Sequence, residues 1–482
     1  MMSEPALDSG IGRRITRYSA LLTASGILCK ILLLVYTVFA VQILGRERFG
    51  RIEYFIEMGI IFSVLVDFGL EQTITREIAR RRQDVHQALS TLLAFRVVAS
   101  LLGSLAMIGF LAAVRRPEHT WSLILCATTY FFVVFHMMLL RAILRSFELM
   151  PLEGLANLLD KLTHIGLAML TLFLWPRLSA LALCYTAGSL VSVAIYAVII
   201  LRRFGRPTFS GSFRDWIDWQ KLATPIGLSA VCILLLHRED TAMVNWIRGD
   251  DETGLYRAPY RFLEGLFLFP QVMAISAYPI FSKLYHENRP FASTAADLLF
   301  GLLAISFPVA VGGTCIADEM MRQLTPELGA AGGTVFKILL WSLPFIYVNF
   351  LFGTILNAVD RQHRNFRASA WGLAGNALLN LPAIYMWGAY GASMVTVLSQ
   401  ALYGAIMLHS IKDFHILGQW KRYRAIGLAC VVMAGVITWV PFRWYAAVPL
   451  GAVIYASVLL LFGAVTKKDL KNLSQVFSSN KS

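Results

Sequence analysis

Stretches of about twenty consecutive apolar residues recur along this chain from near its beginning to near its end, each closed by a short charged or Pro/Gly-bearing break. A helix of about twenty such residues spans the ~30 Å hydrocarbon core of a bilayer. One stretch would suit a buried helix of a soluble protein, but a dozen or more would not. Of the 482 residues 57% are hydrophobic and only 15% charged, whereas soluble chains carry about a quarter charged. Composition thus excludes a soluble enzyme, a disordered scaffold and a nucleic-acid-binding domain, so no nucleic-acid partner is expected. A transmembrane barrel would show short alternating segments, and these are continuous. The chain reads as an all-α polytopic membrane protein.

We read fourteen spans: 18–44, 53–72, 89–113, 121–141, 155–175, 179–201, 223–247, 254–281, 293–315, 334–357, 368–387, 391–410, 424–441 and 445–466. Arg13, Arg14 and Arg17 precede the first span as in a signal peptide. Its apolar run is too long for a signal core, however, and no small-residue cleavage site follows at the right distance. Of the 43 Lys and Arg residues, 28 lie in or beside the two termini and alternate connections, and ten in or beside the opposite connections. The other five (Lys30, Arg96, Arg238, Arg261, Lys337) fall inside spans. The positive-inside rule then places both termini in the cytoplasm. It also accounts for most of the net charge of +14, attraction to anionic membrane lipids being a secondary consequence. The six cysteines all sit in apolar stretches without a C-x-x-C pair, as small hydrophobes do.

The longest connection on the cytoplasmic side, 202–222, carries Gly205, Pro207 and Gly211 and then Ser212 as a helix N-cap. Phe213, Trp216 and Ile217 follow at i, i+3 and i+4, the pattern of a short interfacial helix. It divides the chain into an N-terminal lobe (1–201), this linker, a C-terminal lobe (223–410) and a final pair of spans with a cytoplasmic tail (411–482). A repeat supports the division. Gly45 to Gly50 follows the first span and Gly249 to Gly254 follows the seventh, each a G-x4-G turn at the same place in its half. Six spans separate the copies, which implies a parallel repeat about an axis along the membrane normal.

Ionisable groups inside a bilayer cost at least a few kcal/mol each, so they face a partner or water. In the first span Ser19, Thr23, Gly26, Lys30 and Thr37 share one helical face. Lys30, near the middle, either pairs with an acid on a neighbouring helix or faces an aqueous cavity. The second span carries Glu53, Glu57, Asp67 and Glu71 within one arc. Glu57 and Asp67 are candidates for coupling to H+ or Na+, and equally for fixed partners of Lys30. Glu71 to Arg82 reads as a solvated helix end. The seventh span carries His237, Arg238, Glu239 and Asp240, without the second histidine one turn on that a metal site would want. In the eighth, Arg257, Arg261 and Glu264 fall at i, i+4 and i+7, where intrahelical pairing competes with a ligand role. Asn349, Asn357, Asn376 and Asn380 place amides in later spans, suited to helix–helix hydrogen bonds or to ligands. Asn157, Lys161 and His164 form a further stripe, with Asp160 one turn below His164.

No phosphate-binding loop, dinucleotide turn, G-x-S-x-G or H-E-x-x-H is present. No cofactor is therefore expected, and transport would draw on ion or lipid gradients or on the membrane potential. At this point a resemblance enters. Leu44 to Gly50, Asp67-Phe-Gly-Leu70 and Arg76 to Arg80 resemble the opening of the polysaccharide-biosynthesis proteins, lipid-linked oligosaccharide flippases of the multidrug/oligosaccharidyl-lipid/polysaccharide exporter superfamily. Arg238 to Asp240, Gly254 to Ala258 and Tyr278 to Ile280 resemble the start of that family's second lobe, and Leu356 to Gln362 a later segment. The resemblance implies two six-helix lobes in a V with two extra helices, in the bacterial inner membrane. It implies alternating access and an undecaprenyl-diphosphate-linked glycan as cargo, with glycan polymerase or ligase machinery as a possible partner. Lys30 and Arg238 match the basic residues that meet the diphosphate in related flippases; Arg261 is a looser match and Asn349 a candidate beside it. Glu57, Asp67, Asp240 and Glu264 are the candidates for ion coupling or gating.

Two other functions compete. Drug or cation antiport by the sister branch would call for an acidic, aromatic pocket without central bases. A membrane glycan polymerase or ligase would need catalytic residues on a large outer loop. The longest outer connection, about twenty residues around Asp318 to Gly333, has no histidine, so the chain does not read as an enzyme.

Overall fold

The structure is a computed structural model, and it describes residues 9–80, 85–114, 116–147, 149–206, 212–414, 416–439 and 443–464. Pro207 and Gly211 of the linker, Arg81 and Arg82, and the tail beyond residue 464 lie outside the described residues. Those described form helices and no strands. They divide into two compact units, Met1–Ala242 and Met243–Ser482.

The first unit contains α1 (Ser9–Asp67), α2 (Leu70–Arg80), α3 (Val85–Ala113), α4 (Trp121–Ser146), α5 (Met150–Leu174), α6 (Leu178–Phe204) and most of α7 (Phe213–Arg248). Gly45, with φ 75° and ψ 169°, breaks α1 into two spans. At its far end Phe68 and Gly69 both take positive φ. This ends the second span earlier than the hydropathy suggested and starts α2 as a separate helix. Leu70, Ile74 and Ile78 recur every fourth residue and are buried against Leu139 to Leu144 of α4. A second core layer joins Tyr54, Phe55 and Met58 of α1 to Met107 and Leu111 of α3 and to Ile124, Ala127 and Phe131 of α4. Ser212 caps α7: its Oγ accepts the Arg214 amide at 3.2 Å while its own amide donates to Asp215. The two arms of α7 are bent by 56° around Pro225, whose ring cannot supply the helical hydrogen bond there.

The second unit contains the end of α7, α8 (Asp250–Leu266), α9 (Leu268–His286), α10 (Ala292–Leu324), α11 (Gly329–Leu340), α12 (Leu343–Ala358), α13 (Gln362–Ile411), α14 (Trp420–Trp439) and α15 (Trp444–Leu461). Gly388, with φ 56°, breaks α13. The two arms run antiparallel, since Arg364 meets Ser410 and Asn376 meets Ser399. Phe300 of α10, Ala429, Cys430 and Met433 of α14, and Tyr455 and Leu459 of α15 form one apolar core.

Eleven helical segments among the described residues are long and apolar enough to cross a membrane, and the bent α7 adds a twelfth. Two of the eleven, 43 and 53 residues long, are broken at Gly45 and Gly388 and suffice for two crossings each. The chain is an all-α, multi-pass membrane protein. One sequence expectation is corrected: the outer connection around Asp318 to Gly333 is not a loop. Helix α10 continues to Leu324, and a single 3-10 turn, Pro326–Leu328, leads into α11. The Lys337–Asp318 ion pair ties those helices together.

Candidate functional site

Charged side chains inside the spans are held very differently in the two units. In the first unit Asp67 and Arg96 are both buried and form an ion pair between α1 and α3. Asp67 also accepts the amide of Glu71 at 3.0 Å, so it caps the start of α2. The Arg96 guanidinium lies 4.2 Å from the Phe135 ring centroid. Glu57, fully buried, forms an ion pair with Arg238 of α7, whose side chain keeps 23% of its surface exposed. Lys30 is half-buried on the first arm of α1, and Asp240 is buried on α7. The open question of what Glu57 and Asp67 face thus has a specific answer. Each carries an arginine from another helix.

Glu71 corrects the expectation of a solvated helix end. It is buried and accepts two hydrogen bonds from Arg141 at 2.7 and 2.8 Å, plus one from Arg145 at 3.1 Å. Arg145 in turn holds Glu153 at 2.6 Å. Such forked arginine–carboxylate contacts are the strong, directional kind, and here they clamp α2, α4 and α5 together at one end of the unit. At a different level Glu53 accepts from Tyr185 at 3.3 Å, beside the buried His164, whose ring centroid lies 3.7 Å from that of Tyr185. Asp160 is buried, with Lys161 at 3.5 Å.

In the second unit one carboxylate serves two guanidiniums. Glu264 lies 3.3 Å from Arg261 and 3.3 Å from Arg257, all on α8 and all buried. Of the two readings of Arg257, Arg261 and Glu264, intrahelical pairing is the one observed. Arg257 is one of the largest fully buried side chains among the described residues. α8 also carries Asp250, Asp251 and Glu252 in its first turn, so its acids outnumber its two arginines. Tyr256 and Tyr260 stack alongside at 5.5 Å. Asn349 on α12 is buried and donates to both the backbone and side-chain oxygens of Gln400 on α13, at 3.0 and 2.9 Å. Asn376 donates to Ser399 and accepts from Asn380. These amides stitch helices together, the commoner use of such groups in membranes.

The structure therefore pairs Glu57 with Arg238, and Glu264 with Arg261, while Asp67 goes to an arginine outside the candidate set. A guanidinium or ammonium group at such depth offers several N–H donors to a phosphate oxygen.

The family pattern described as polysaccharide biosynthesis protein matches residues 15–285, and that of the MatE family matches residues 225–386. The "probable low-salt glycan biosynthesis flippase Agl15" of Haloferax volcanii is 22% identical over 90% of this chain and 93% of its own. The "probable flippase AglR" of the same organism is 25% identical, over 61% of this chain and 64% of its own. Among solved structures, the lipid II flippase MurJ in an inward closed conformation superposes with a TM-score of 0.72 at 16% identity, covering 94% of this chain and 99% of that one. An inward-facing multidrug resistance transporter of the MATE family superposes with a TM-score of 0.64 at 13% identity, over 83% and 99% of the respective chains. Those two likenesses establish a shared fold. With more than half of its length matched by the first pattern, the chain belongs to the polysaccharide biosynthesis protein family.

Proposed function

We propose that this protein is a lipid-linked glycan flippase, moving an undecaprenyl-diphosphate-linked oligosaccharide from the cytoplasmic to the outer leaflet by alternating access. The observation that carries the reading is the pair of buried guanidiniums on α8, Arg257 and Arg261, both held against the Glu264 carboxylate. A diphosphate headgroup cannot enter hydrocarbon without replacing its water, and guanidinium groups at depth replace it. The names of the relatives support the reading, as does the half-buried Lys30.

Lys30, Arg238 and Arg261 are the proposed diphosphate contacts, with Asn349 beside them. Glu57 competes with the diphosphate for Arg238, so binding of cargo and release of that pair are linked. Glu57, Asp67, Asp240 and Glu264 are the proposed gating or ion-coupling acids, with H+ or Na+ as the ion. Outward movement of two negative charges across an inside-negative membrane releases up to about 4.6 kcal/mol per 100 mV, which helps set direction. Both termini lie in the cytoplasm in this reading, and in a bacterium the membrane is the inner one.

The test is reconstitution in vesicles with a fluorescent lipid-linked glycan. Lys30→Ala, Arg238→Ala and Arg261→Ala are each expected to slow translocation at least about tenfold, the loss of roughly 1.4 kcal/mol of phosphate binding. Wild-type rates in all three would remove the proposal. Asp240→Asn is expected to weaken dependence on an imposed proton or sodium gradient, and unchanged dependence would remove that acid from a coupling role.

A further inference from the structure

Away from the Gly388 break, the ends of the two arms of α13 close a cleft of about 450 Å³. Arg364 and Arg367 line it from the first arm, His409 from the second, and Lys412 and Asp413 from the turn that follows. Arg364 donates to the Ser410 carbonyl at 3.0 Å, which fixes the two walls to each other. The one carboxylate, Asp413, is already engaged by Arg361 at 3.4 Å. Arg367, His409 and Lys412 have no ion-pair or hydrogen-bond partner among the described residues, and all three are exposed. Basic side chains held together at close range repel one another unless an anion sits among them.

The surroundings identify the kind of anion. Trp371 forms part of the wall and is 66% exposed. Leu378 and Tyr385 follow at i+7 and i+14 on the same face, exposed to 70% and 74%. On the returning arm Leu398 and Leu402 are exposed and lead toward Ile406 at the cleft. The apolar ridge from Trp371 to Tyr385 is about 21 Å long at 1.5 Å per residue, enough to cover one leaflet of a ~30 Å core. Tryptophan belongs at the boundary between headgroups and acyl chains. A basic pocket that opens onto such a ridge fits a headgroup phosphate whose acyl chains lie along the helix, where a free phosphate would leave the ridge without a role. The positive-inside count assigns this end of the unit to the cytoplasmic leaflet, the leaflet in which such pockets hold anionic headgroups.

We infer that this cleft is a binding site for an anionic phospholipid, its phosphate held by Arg364, Arg367 and Lys412 and its chains seated against Trp371. The site is separate from the charged groups on α1, α7 and α8, so it stands whether or not the cargo is a lipid-linked glycan. The experiment is native mass spectrometry of the full chain taken from vesicles of equimolar phosphatidylglycerol and phosphatidylcholine. The wild-type protein is expected to retain phosphatidylglycerol selectively, also in millimolar inorganic phosphate. Arg367→Ala/Lys412→Ala is expected to weaken that retention about 30-fold, corresponding to ~2 kcal/mol for two basic side chains at an anionic surface. Lys283→Ala/Arg289→Ala removes the same charge from an exposed site where both residues already have Glu287, and is expected to leave retention unchanged. Equal loss in both double variants would reduce the effect to general surface charge and overturn the site. Displacement of the lipid by inorganic phosphate would overturn the lipid as occupant, and undiminished retention in the first double variant would overturn the proposal outright.

Discussion

The turn from Gly45 to Gly50 and the turn from Gly249 to Gly254 share a backbone and differ in charge. Their first glycines have nearly the same conformation, φ 75° with ψ 169° and φ 93° with ψ −174°. Three residues on, Arg48 donates to the carbonyl of Pro176, in the break between α5 and α6. The equivalent Glu252 accepts the amide of Ala389 at 2.7 Å, just past the break in α13. Each turn thus latches the connection between the last two of its half's six spans. The first does so by capping a carbonyl, the second by capping an amide. In the second unit Arg248 completes the arrangement by donating to the carbonyls of Ile384 and Tyr385 at 3.1 and 2.7 Å. A cation therefore sits at the C-terminal end of one helical arm and an anion at the N-terminal end of the next, as the helix dipole favours. The repeat fixes where a latch is needed, and either charge satisfies the geometry.

Both units gather two arginines on one acid, Glu71 with Arg141 and Arg145 in the first and Glu264 with Arg257 and Arg261 in the second. The first also joins the single acids Asp67 and Glu57 to single arginines of other helices. If this is what separates a structural charge from a working one, substitutions in the two units will differ in kind. The largest effect on stability is expected for Arg96→Ala, which leaves Asp67 buried without its partner and costs about 3–5 kcal/mol. Thermal unfolding of the purified protein measures it, and adding Asp67→Asn is expected to recover part of the loss. Gly227→Ala comes next. Its new Cβ would lie 2.1 Å from the Phe68 carbonyl oxygen, a backbone atom that cannot turn aside, so a loss of about 1–3 kcal/mol is expected. Gly388→Ala tests the counterpart in the other unit. There the clash at 2.3 Å is with the Glu252 carboxylate, which can swing away only by releasing Ala389.

Glu252→Ala is expected to cost about 1 kcal/mol, as for loss of a helix N-cap, and a loss within error would show the second latch to be dispensable. Arg261→Ala sharpens the comparison most directly. Arg257 remains to satisfy Glu264, so the thermal midpoint is expected to move little while translocation falls. A stability loss as large as that of Arg96→Ala would erase the distinction between the units. Asn349→Ala removes two interhelical hydrogen bonds to Gln400 and is expected to cost about 1 kcal/mol, at roughly 0.6 kcal/mol for each such bond in a membrane.

Particular residues show how far the chain could be read before its structure was known. The all-α, multi-pass architecture was legible, because the transfer free energy of a span is a sum over about twenty adjacent residues and needs no tertiary information. Gly45, Gly249 and the Ser212 cap were legible for the same reason, since turn chemistry is local. Glu71 was misjudged as solvated because its burial depends on Arg141, which lies 70 residues away. The span from Asp318 to Gly333 looked like a loop because its charges and Pro326 separate two apolar runs, yet α10 continues through it to Leu324 and the Lys337–Asp318 pair ties α10 to α11.

Composition and order by themselves determined the solvent in which this protein folds, its all-α architecture and the glycine turns at Gly45 and Gly249, since each of these follows from side chains acting on their immediate neighbours and on lipid or water. Only the tertiary structure decided which charge answers which. That choice depends on the rotation and depth of helices far apart in sequence, which is why Asp67 found Arg96, Glu57 found Arg238, and two arginines of one helix came to share Glu264.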